Sequence, residues 1–174
     1  MTDELRLNPA TEADLDMIEE LVTTPMGGEF DWFGFSRAGY RKRWAENGLL
    51  DADNSALIVW HADERIGFVD WRRRLTRPDS WFWEIGIGLV PSARGKGFGT
   101  SAQRMLVDYL FAHTPAHRIE ADTEAENIAE QRALEKAGFA REGVCRAVVF
   151  RDGAWRDGVI YAVLRTDPRP PDHE

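Results

Sequence analysis

The segment of this sequence best suited to chemistry is a glycine-rich loop, ARGKGFGTSA (93–102), which contains three glycines at alternating positions. An apolar stretch, WFWEIGIGLV (81–90), precedes it, and a segment with helical periodicity follows it. The first backbone N–H groups of a helix are unpaired, and the helix dipole places partial positive charge beside them. Arg94 and Lys96 add formal positive charge. A strand, a glycine turn and a helix start in this order predict a site for a phosphate group.

Two nucleotide-binding patterns compete for this loop. The phosphate loop of nucleoside triphosphatases is excluded, because no G-x-x-x-x-G-K-[ST] sequence is present. Residues 97–102 match the dinucleotide pattern G-x-G-x-x-A, with Glu120 and Asp122 roughly 20 residues further on, where a ribose-binding acid is expected. Against it, about six residues separate the strand from the first glycine of that match, and only about 50 residues follow Asp122. A dinucleotide-binding enzyme is therefore the weaker alternative.

Composition limits the possible functions. The chain has 174 residues and a net charge of −8, which argues against a protein that binds a nucleic-acid backbone and is compatible with an amine-bearing partner. Cys145 is the only cysteine, and the four histidines lack metal-ligand spacing, so we expect no internal disulfide and no metal. The polar start is unlike a signal peptide, and no apolar run approaches the ~18 residues of a membrane span. We expect no membrane association and a cytoplasmic location.

The pattern of apolar residues predicts the order strand, helix, helix, three strands, helix, strand, helix and two strands. Thr123 and Glu126 form a possible capping box before a helix over 124–137, and Gly138 is placed to end that helix. The order predicts a mixed α/β domain built around one sheet. The charged, proline-rich segment 166–174 predicts a flexible C-terminal tail.

A family resemblance explains the whole glycine loop. The sequence RGKGFG (94–99) fits [R/Q]-x-x-G-x-[G/A], which resembles the pyrophosphate loop of the GNAT N-acetyltransferases. The segment TEAENIAEQRALEKAGFAREGVCR (123–146) resembles the second acyl-CoA segment of that family, and NPATEADLDMI (8–18) resembles its usual opening. RDGAWRDGVIYAVL (151–164) is similar to the close of the RimJ/RimL-like branch. The resemblance implies one acyltransferase domain over residues 1–165.

The resemblance implies an α/β fold with a single mixed, mostly antiparallel central sheet flanked by helices, and acetyl-CoA as cosubstrate. In this family the strand before the loop splays from its neighbour, and the pantetheine arm pairs with the exposed backbone. Gly86 and Gly88 fit such a close approach, or they only relieve crowding in a buried strand. The residues implied to bind the cosubstrate are Ile87, Gly88, Leu89, Arg94, Gly95, Lys96, Gly97, Phe98, Gly99, Thr100 and Asn127.

The same resemblance implies acetyl transfer to a primary amine in a ternary complex. Glu84 is the candidate general base, and we expect its apolar neighbours to raise its pKa; the alternative is a paired or rim carboxylate. Asn127 is the second candidate catalytic residue, and its alternative role is to bond local backbone. Where many family members have a tyrosine this chain has Leu134, and where the branch often has a serine it has Glu130. The thiolate then leaves with help from water or from another residue, of which Tyr161 is conceivable.

The acceptor amine belongs to a protein N-terminus or to a small molecule, and two aromatic-rich segments are expected to line its site. The alternative for these aromatic residues is the core or a dimer surface, and a homodimer is possible by analogy with the family. A non-catalytic acyl-CoA-binding module is the alternative function. The residues predicted to bind the acceptor are Asp31, Trp32, Phe33, Trp71, Trp81 and Trp83.

Overall fold

The structure is a computed structural model that describes residues 4–24 and 39–169. Its helices and strands follow the order that the sequence predicts, with short 3-10 turns before α1 and α3. The elements are β1 (Leu5–Pro9), α1 (Leu15–Thr23), α2 (Tyr40–Asn47), β2 (Asn54–His61), β3 (Glu64–Arg77), β4 (Ser80–Leu89), α3 (Phe98–His113), β5 (Arg118–Glu124), α4 (Ile128–Ala137), β6 (Ala140–Arg151) and β7 (Ala154–Leu164).

The strands form one seven-stranded sheet in the order β1-β2-β3-β4-β5-β7-β6. Every neighbouring pair is antiparallel except β4 and β5, which run parallel. A parallel pair needs a long crossover, and α3 supplies it. The predicted α/β fold with a mixed, mostly antiparallel sheet is confirmed.

Helices cover the two faces of the sheet unequally. The main core lies on the face that packs against α3 and α4, and it includes Trp71, Trp83 and Leu106. A smaller core lies on the other face, where Ile58 and Phe68 pack against residues of α1. Side chains alternate between the two faces along each strand, so residues of odd and even number in β3 and β4 serve different layers.

The start of α4 differs from the prediction. Asn127, rather than Thr123, is the cap: its side-chain Oδ1 accepts the Glu130 N–H at 3.2 Å. Thr123 stays in β5, because that strand pairs with β7 through Glu124, and its hydroxyl accepts a hydrogen bond from Asn127 Nδ2 at 3.0 Å. Gly138, at a φ of 97°, ends the helix as predicted.

Two arginines that follow β7 contact α3 and the segment after it. Arg165 donates hydrogen bonds to the carbonyl oxygens of Phe111 and Ala116, and the Arg169 guanidinium lies 4.6 Å from the centre of the Phe111 ring. The flexible tail expected for residues 166–174 stays a prediction. In the described part of the chain, no helix has the length and apolarity needed to cross a membrane.

Candidate active site

The gap between β4 and β5 is the main feature of the site. The two strands pair at only two positions, Trp83 with Ile119 and Glu84 with Glu120. Beyond this pair β4 stays bonded to β3, and β5 stays bonded to β7. The inner edges of both strands therefore diverge, and we call the Glu84–Glu120 pair the vertex of the β4–β5 gap. This splayed arrangement is the one that the family resemblance implies.

The backbone groups that face the gap can be assigned from alternation along β4. The Val90 N–H donates to a β3 carbonyl at 2.9 Å, so the neighbouring Leu89 and then Ile87 face the gap. The Gly88 carbonyl oxygen lies on the β3 side, 2.1 Å from where a Cβ on Gly67 would be. The prediction that Gly88 backbone faces the cosubstrate is therefore wrong, whereas Ile87 and Leu89 have the required orientation.

The two glycines in β4 make room for side chains of β3. A Cβ at Gly86 would lie 2.5 Å from Oδ1 of Asp70, and one at Gly88 would lie 2.7 Å from Cε1 of Phe68. Real Cβ atoms do not approach other atoms so closely. Of the two explanations for these glycines, relief of crowding is the one that the structure supports.

The glycine loop connects the open end of β4 to the start of α3. Gly95 and Gly97 have φ values of 71° and 85°, a left-handed conformation that side chains with a Cβ rarely adopt. The first bond of α3 runs from the Ser101 N–H to the Gly97 oxygen, so the three preceding N–H groups have no intrahelical partner. The buried Phe98 side chain packs against His61, which leaves only the Phe98 backbone for a ligand.

The two basic residues of the loop have different environments. The Arg94 guanidinium donates to the Leu89 carbonyl oxygen at 2.8 and 2.9 Å, which ties the loop to the end of β4. Lys96 is exposed. Arg94 thus has a structural contact, and its predicted help in binding phosphate stays a prediction.

Glu84, the predicted base, lies between two arginines of β3. Its Oε1 accepts from Arg72 Nε at 2.5 Å, and its Oε2 accepts from Arg74 Nε at 2.6 Å. Burial alone would raise the pKa of this carboxyl, but the hydrogen bonds and charges of Arg74 and Arg72 outweigh burial and hold the pKa below its ordinary value. The expectation of a raised pKa is wrong, because two arginines of the neighbouring strand, Arg72 and Arg74, bond both oxygens of the Glu84 carboxylate.

Other carboxyls share the face of Glu84. Glu120, its partner in the vertex, is bonded to Arg118, whereas Asp70 and Asp122 were given no part in acetyl transfer by the sequence analysis. Asp70 pairs with Gly86 across β3 and β4, and Tyr40 donates to it at 3.4 Å. Burial raises the pKa of Asp70. Asp122 lies on β5 two residues beyond the vertex, and although it keeps contact with solvent, the surrounding protein atoms and then the Glu84 charge raise its pKa. Alternation along β4 reaches neither residue, because Asp70 lies on β3 and Asp122 on β5, and only the register between the strands brings them to one face.

The predicted aromatic slot is not formed by the described residues. Trp71 and Trp83 are only 5% and 4% exposed and lie in the main core on the face opposite Glu84. Trp81 packs on Trp83 with ring centres 5.2 Å apart, and it lines a cavity of about 410 Å³ at the other end of the β4–β5 pair. The acceptor role predicted for these three residues is corrected accordingly. The other three candidates, Asp31, Trp32 and Phe33, lie outside the described residues.

The other residues considered for catalysis, Asn127 and Tyr161, have their polar atoms bonded within the protein. Both polar atoms of the Asn127 amide bond within the turn into α4, so its catalytic role stays a prediction. Leu134 is fully buried. Tyr161 is fully buried as well, and its hydroxyl donates to Glu135 of α4 at 3.1 Å, on the opposite face from Glu84. Within residues 4–24 and 39–169, no group of three His, Cys, Asp or Glu residues could hold a metal ion.

Comparison with known proteins adds three solved or curated relatives. The probable N-acetyltransferase YjcK of Bacillus subtilis is 43% identical over 83 residues, which are 48% of this chain and 46% of the relative. A spermidine N-acetyltransferase from Vibrio cholerae in complex with CoA and spermine superposes with a TM-score of 0.82 at 21% identity, covering 94% and 97% of the two chains. RimL, a ribosomal alpha-N-protein acetyltransferase in complex with coenzyme A, superposes with a TM-score of 0.77 at 20% identity, covering 93% and 94%.

These similarities differ in what they show. The two structural neighbours are under 25% identical and establish the fold, while the chain spans about half the length of the first curated relatives that it matches. The sequence model described as "Acetyltransferase (GNAT) domain" matches residues 4–140, most of the chain. Together with the splayed strands and the glycine loop, this match shows that the chain belongs to the GNAT acetyltransferase family.

Proposed function

We propose that this protein is an N-acetyltransferase that moves an acetyl group from acetyl-CoA to a primary amine by direct transfer in a ternary complex. One observation supports it above all: the unpaired edge of β4 leads from a carboxylate-rich vertex directly to the glycine loop at the start of α3. A thioester at the vertex and a pyrophosphate at the loop match the two ends of the pantetheine arm of an acyl-CoA. The CoA complexes of the two structural neighbours are consistent with this donor.

The donor would be held mostly by backbone. The gap-facing backbone groups of Ile87 and the N–H of Leu89 would pair with the pantetheine arm in the way that a further strand would, since the Leu89 carbonyl oxygen already accepts from Arg94. The N–H groups of residues 95–100 would meet the pyrophosphate at the positive end of α3. Lys96 would add an exposed positive charge, and Arg94 would hold the loop against β4.

The chemistry requires one proton to leave the amine before attack. The amine nitrogen then forms a bond to the thioester carbonyl carbon, the carbon–sulfur bond breaks, and the CoA thiolate leaves. The second proton that the nitrogen loses on becoming an amide passes through water to the thiolate. A backbone N–H on the gap-facing edge of β4 would stabilise the negative charge on the carbonyl oxygen. Glu84, kept ionised by Arg72 and Arg74, would compensate part of the positive charge of these two arginines at the vertex, where the cationic amine must bind.

The class of acceptor follows from the vertex and from the closing segment. Asp70, Glu84 and Asp122 share one face, which suits a cationic amine, and we place small polyamines first. We assign the chain to the RimJ/RimL-like branch on its closing segment 151–164, which makes a protein N-terminal amine the second class. A homodimer and a cytoplasmic location remain predictions.

Ligand-dependent melting tests the donor. Acetyl-CoA at a hundredfold excess over its dissociation constant should stabilise the protein by roughly 2.7 kcal/mol, and NADH at the same concentration should not. The Gly97→Ala variant should show little of this stabilisation by acetyl-CoA, because the φ of 85° at Gly97 shapes the loop. Gly153→Ala is the matched control: it has a φ of 75° in the β6–β7 turn, so it should cost similar stability and keep the acetyl-CoA shift.

Activity decides between an enzyme and a binding module. Release of CoA thiol should depend on acetyl-CoA together with spermidine or with a peptide that has a free N-terminus. A melting shift with NADH alone would overturn the proposal in favour of a dinucleotide enzyme. A shift with acetyl-CoA and no transfer to any amine of the panel would leave the non-catalytic module as the function.

A further inference from the structure

The carboxyl groups at and beside the vertex differ in what already occupies their oxygen atoms. Glu120 accepts a hydrogen bond from Arg118 at 2.6 Å, which leaves Glu84, Asp70 and Asp122 to compare. Both Glu84 oxygens accept hydrogen bonds from guanidinium groups, and Oε1 accepts a second one from Arg74 at 3.1 Å. A carboxylate whose lone pairs are held by two cations has little basicity left for a substrate proton. Glu84 is therefore ionised, as a general base must be, but it is poorly suited to accept a proton from the substrate.

Asp70 is placed differently. Its Oδ1 lies 2.5 Å from the position that a Cβ on Gly86 would take, so the carboxyl sits directly over β4 at the start of the unpaired stretch. Its described hydrogen-bond donor is a neutral hydroxyl, that of Tyr40, at 3.4 Å. Burial and the Asp70 charge raise the pKa of Tyr40, so this hydroxyl stays protonated and donates.

Asp122 is the other carboxyl without an arginine hydrogen bond among the described contacts, but its position is less favourable. It lies on β5, across the gap from the strand whose N–H groups would hold the thioester oxygen. It is also exposed to solvent, whereas Asp70 is half-buried. A proton acceptor close to β4 and shielded from water is the better match to attack on a thioester held by β4.

We propose that Asp70 is the general base that takes the proton from the acceptor amine, and that Glu84 is held in a fixed ion-pair group whose role is to compensate the charges of Arg72 and Arg74 beside the amine. The proposal rests on the proposed acetyl transfer. The ammonium gives one proton to the Asp70 carboxylate, the freed nitrogen pair forms the carbon–nitrogen bond, and the carbon–sulfur bond breaks with its electron pair on sulfur. The second proton lost by the nitrogen passes through water to the CoA thiolate. Asp70 then returns its proton to solvent.

The charged groups that face Asp70 set the direction of each test. Arg72 of β3 and Arg43 of α2 favour its ionised form, as does the hydrogen bond from Tyr40, while the negative charge of Glu84 on β4 disfavours it. Removing the Tyr40 hydroxyl should therefore raise the pKa of Asp70. Removing the Glu84 charge should lower it.

The experiment is the pH dependence of kcat/KM for the amine, measured with the full chain and acetyl-CoA. Asp70→Asn should lower kcat/KM by roughly 100-fold or more and remove the acid limb, because a general base contributes about 10²–10⁴-fold. Tyr40→Phe should move the acid limb to higher pH, because it removes a hydrogen bond that favours the ionised form of Asp70. Glu84→Gln should raise KM for the amine and move the acid limb to lower pH.

Each outcome separates this proposal from others. If Glu84→Gln or Asp122→Asn removes the acid limb while Asp70→Asn keeps it, the base is that residue and the proposal is overturned. If Asp70→Asn does not fold, the opposite shifts of the Tyr40 and Glu84 variants still decide, and an unmoved limb in both overturns it. A wild-type protein that binds acetyl-CoA but acetylates no amine refutes the proposed function instead.

Discussion

The two faces of β3 and β4 carry opposite kinds of side chain on the same two strands. On one face Trp71, Trp83 and Ile85 are buried under α3, and on the other Arg72 and Glu84 form hydrogen-bonded ion pairs. Because alternation in a strand separates these sets by one residue, neighbouring positions contribute to quite different properties. The larger core lies on the first face, and the second face carries a smaller core around Phe68 together with the groups of the proposed chemistry. Substitutions at adjacent positions should separate the two.

The largest effect is expected on the apolar face. Trp83→Ala removes a side chain that is 4% exposed and whose Nε1 donates to Thr114 at 3.0 Å, so it should lower the free energy of unfolding by about 3–5 kcal/mol in urea titrations. Trp155→Ala is the matched control, because Trp155 is 65% exposed and should change stability by about 0.5 kcal/mol at most. Equal losses for the two tryptophans would contradict the assignment of Trp83 to the core.

An intermediate effect is expected where β4 makes room for β3 on the polar face. Gly88→Ala would bring a Cβ to 2.7 Å from the Phe68 ring, and this overpacking should cost about 1–3 kcal/mol. Gly143→Ala in β6 has no atom within 4 Å of the new Cβ and should be neutral or slightly stabilising. If both substitutions are tolerated equally in thermal unfolding, crowding is not the reason for glycine at 88.

Local patterns in the sequence predicted more of the fold than of the site. The element order and the glycine loop follow from periodicity and turn residues, which act over a few positions. The sequence alone also predicts that Trp83 and Glu84 point to opposite faces, because neighbouring residues of a strand cannot share a face. The Asp70–Gly86 contact and the Arg72–Glu84 ion pair depend on the register between β3 and β4, which two strands with a bulge near their turn do not reveal in sequence.

The smallest change in the free energy of unfolding is expected when the ion pairs of Glu84 are removed. Whether that change grows or shrinks with pH decides between two interpretations of the face that carries Glu84. Glu84→Gln should lower the free energy of unfolding at pH 7 by only about 1 kcal/mol, since its two arginines are about half exposed and solvent screens them. The folded-state pKa of Glu84 lies below the unfolded value of about 4.3, so its stabilisation is present above that pH and is lost as the pH falls through the folded pKa.

Urea titrations of the wild type and Glu84→Gln between pH 7 and pH 3 measure this directly. The advantage of the wild type should be largest near neutral pH and should shrink toward the acid end. Asp53→Asn is the control, because the 3.4 Å contact of Asp53 with Arg73 is on the surface and should contribute almost nothing at any pH. A wild type that becomes more stable relative to Glu84→Gln as the pH falls would mean that burial prevails over the arginines. Glu84 would then be an ordinary candidate for the base, and the contrast between a fixed ion pair at Glu84 and a free acceptor at Asp70 would no longer hold.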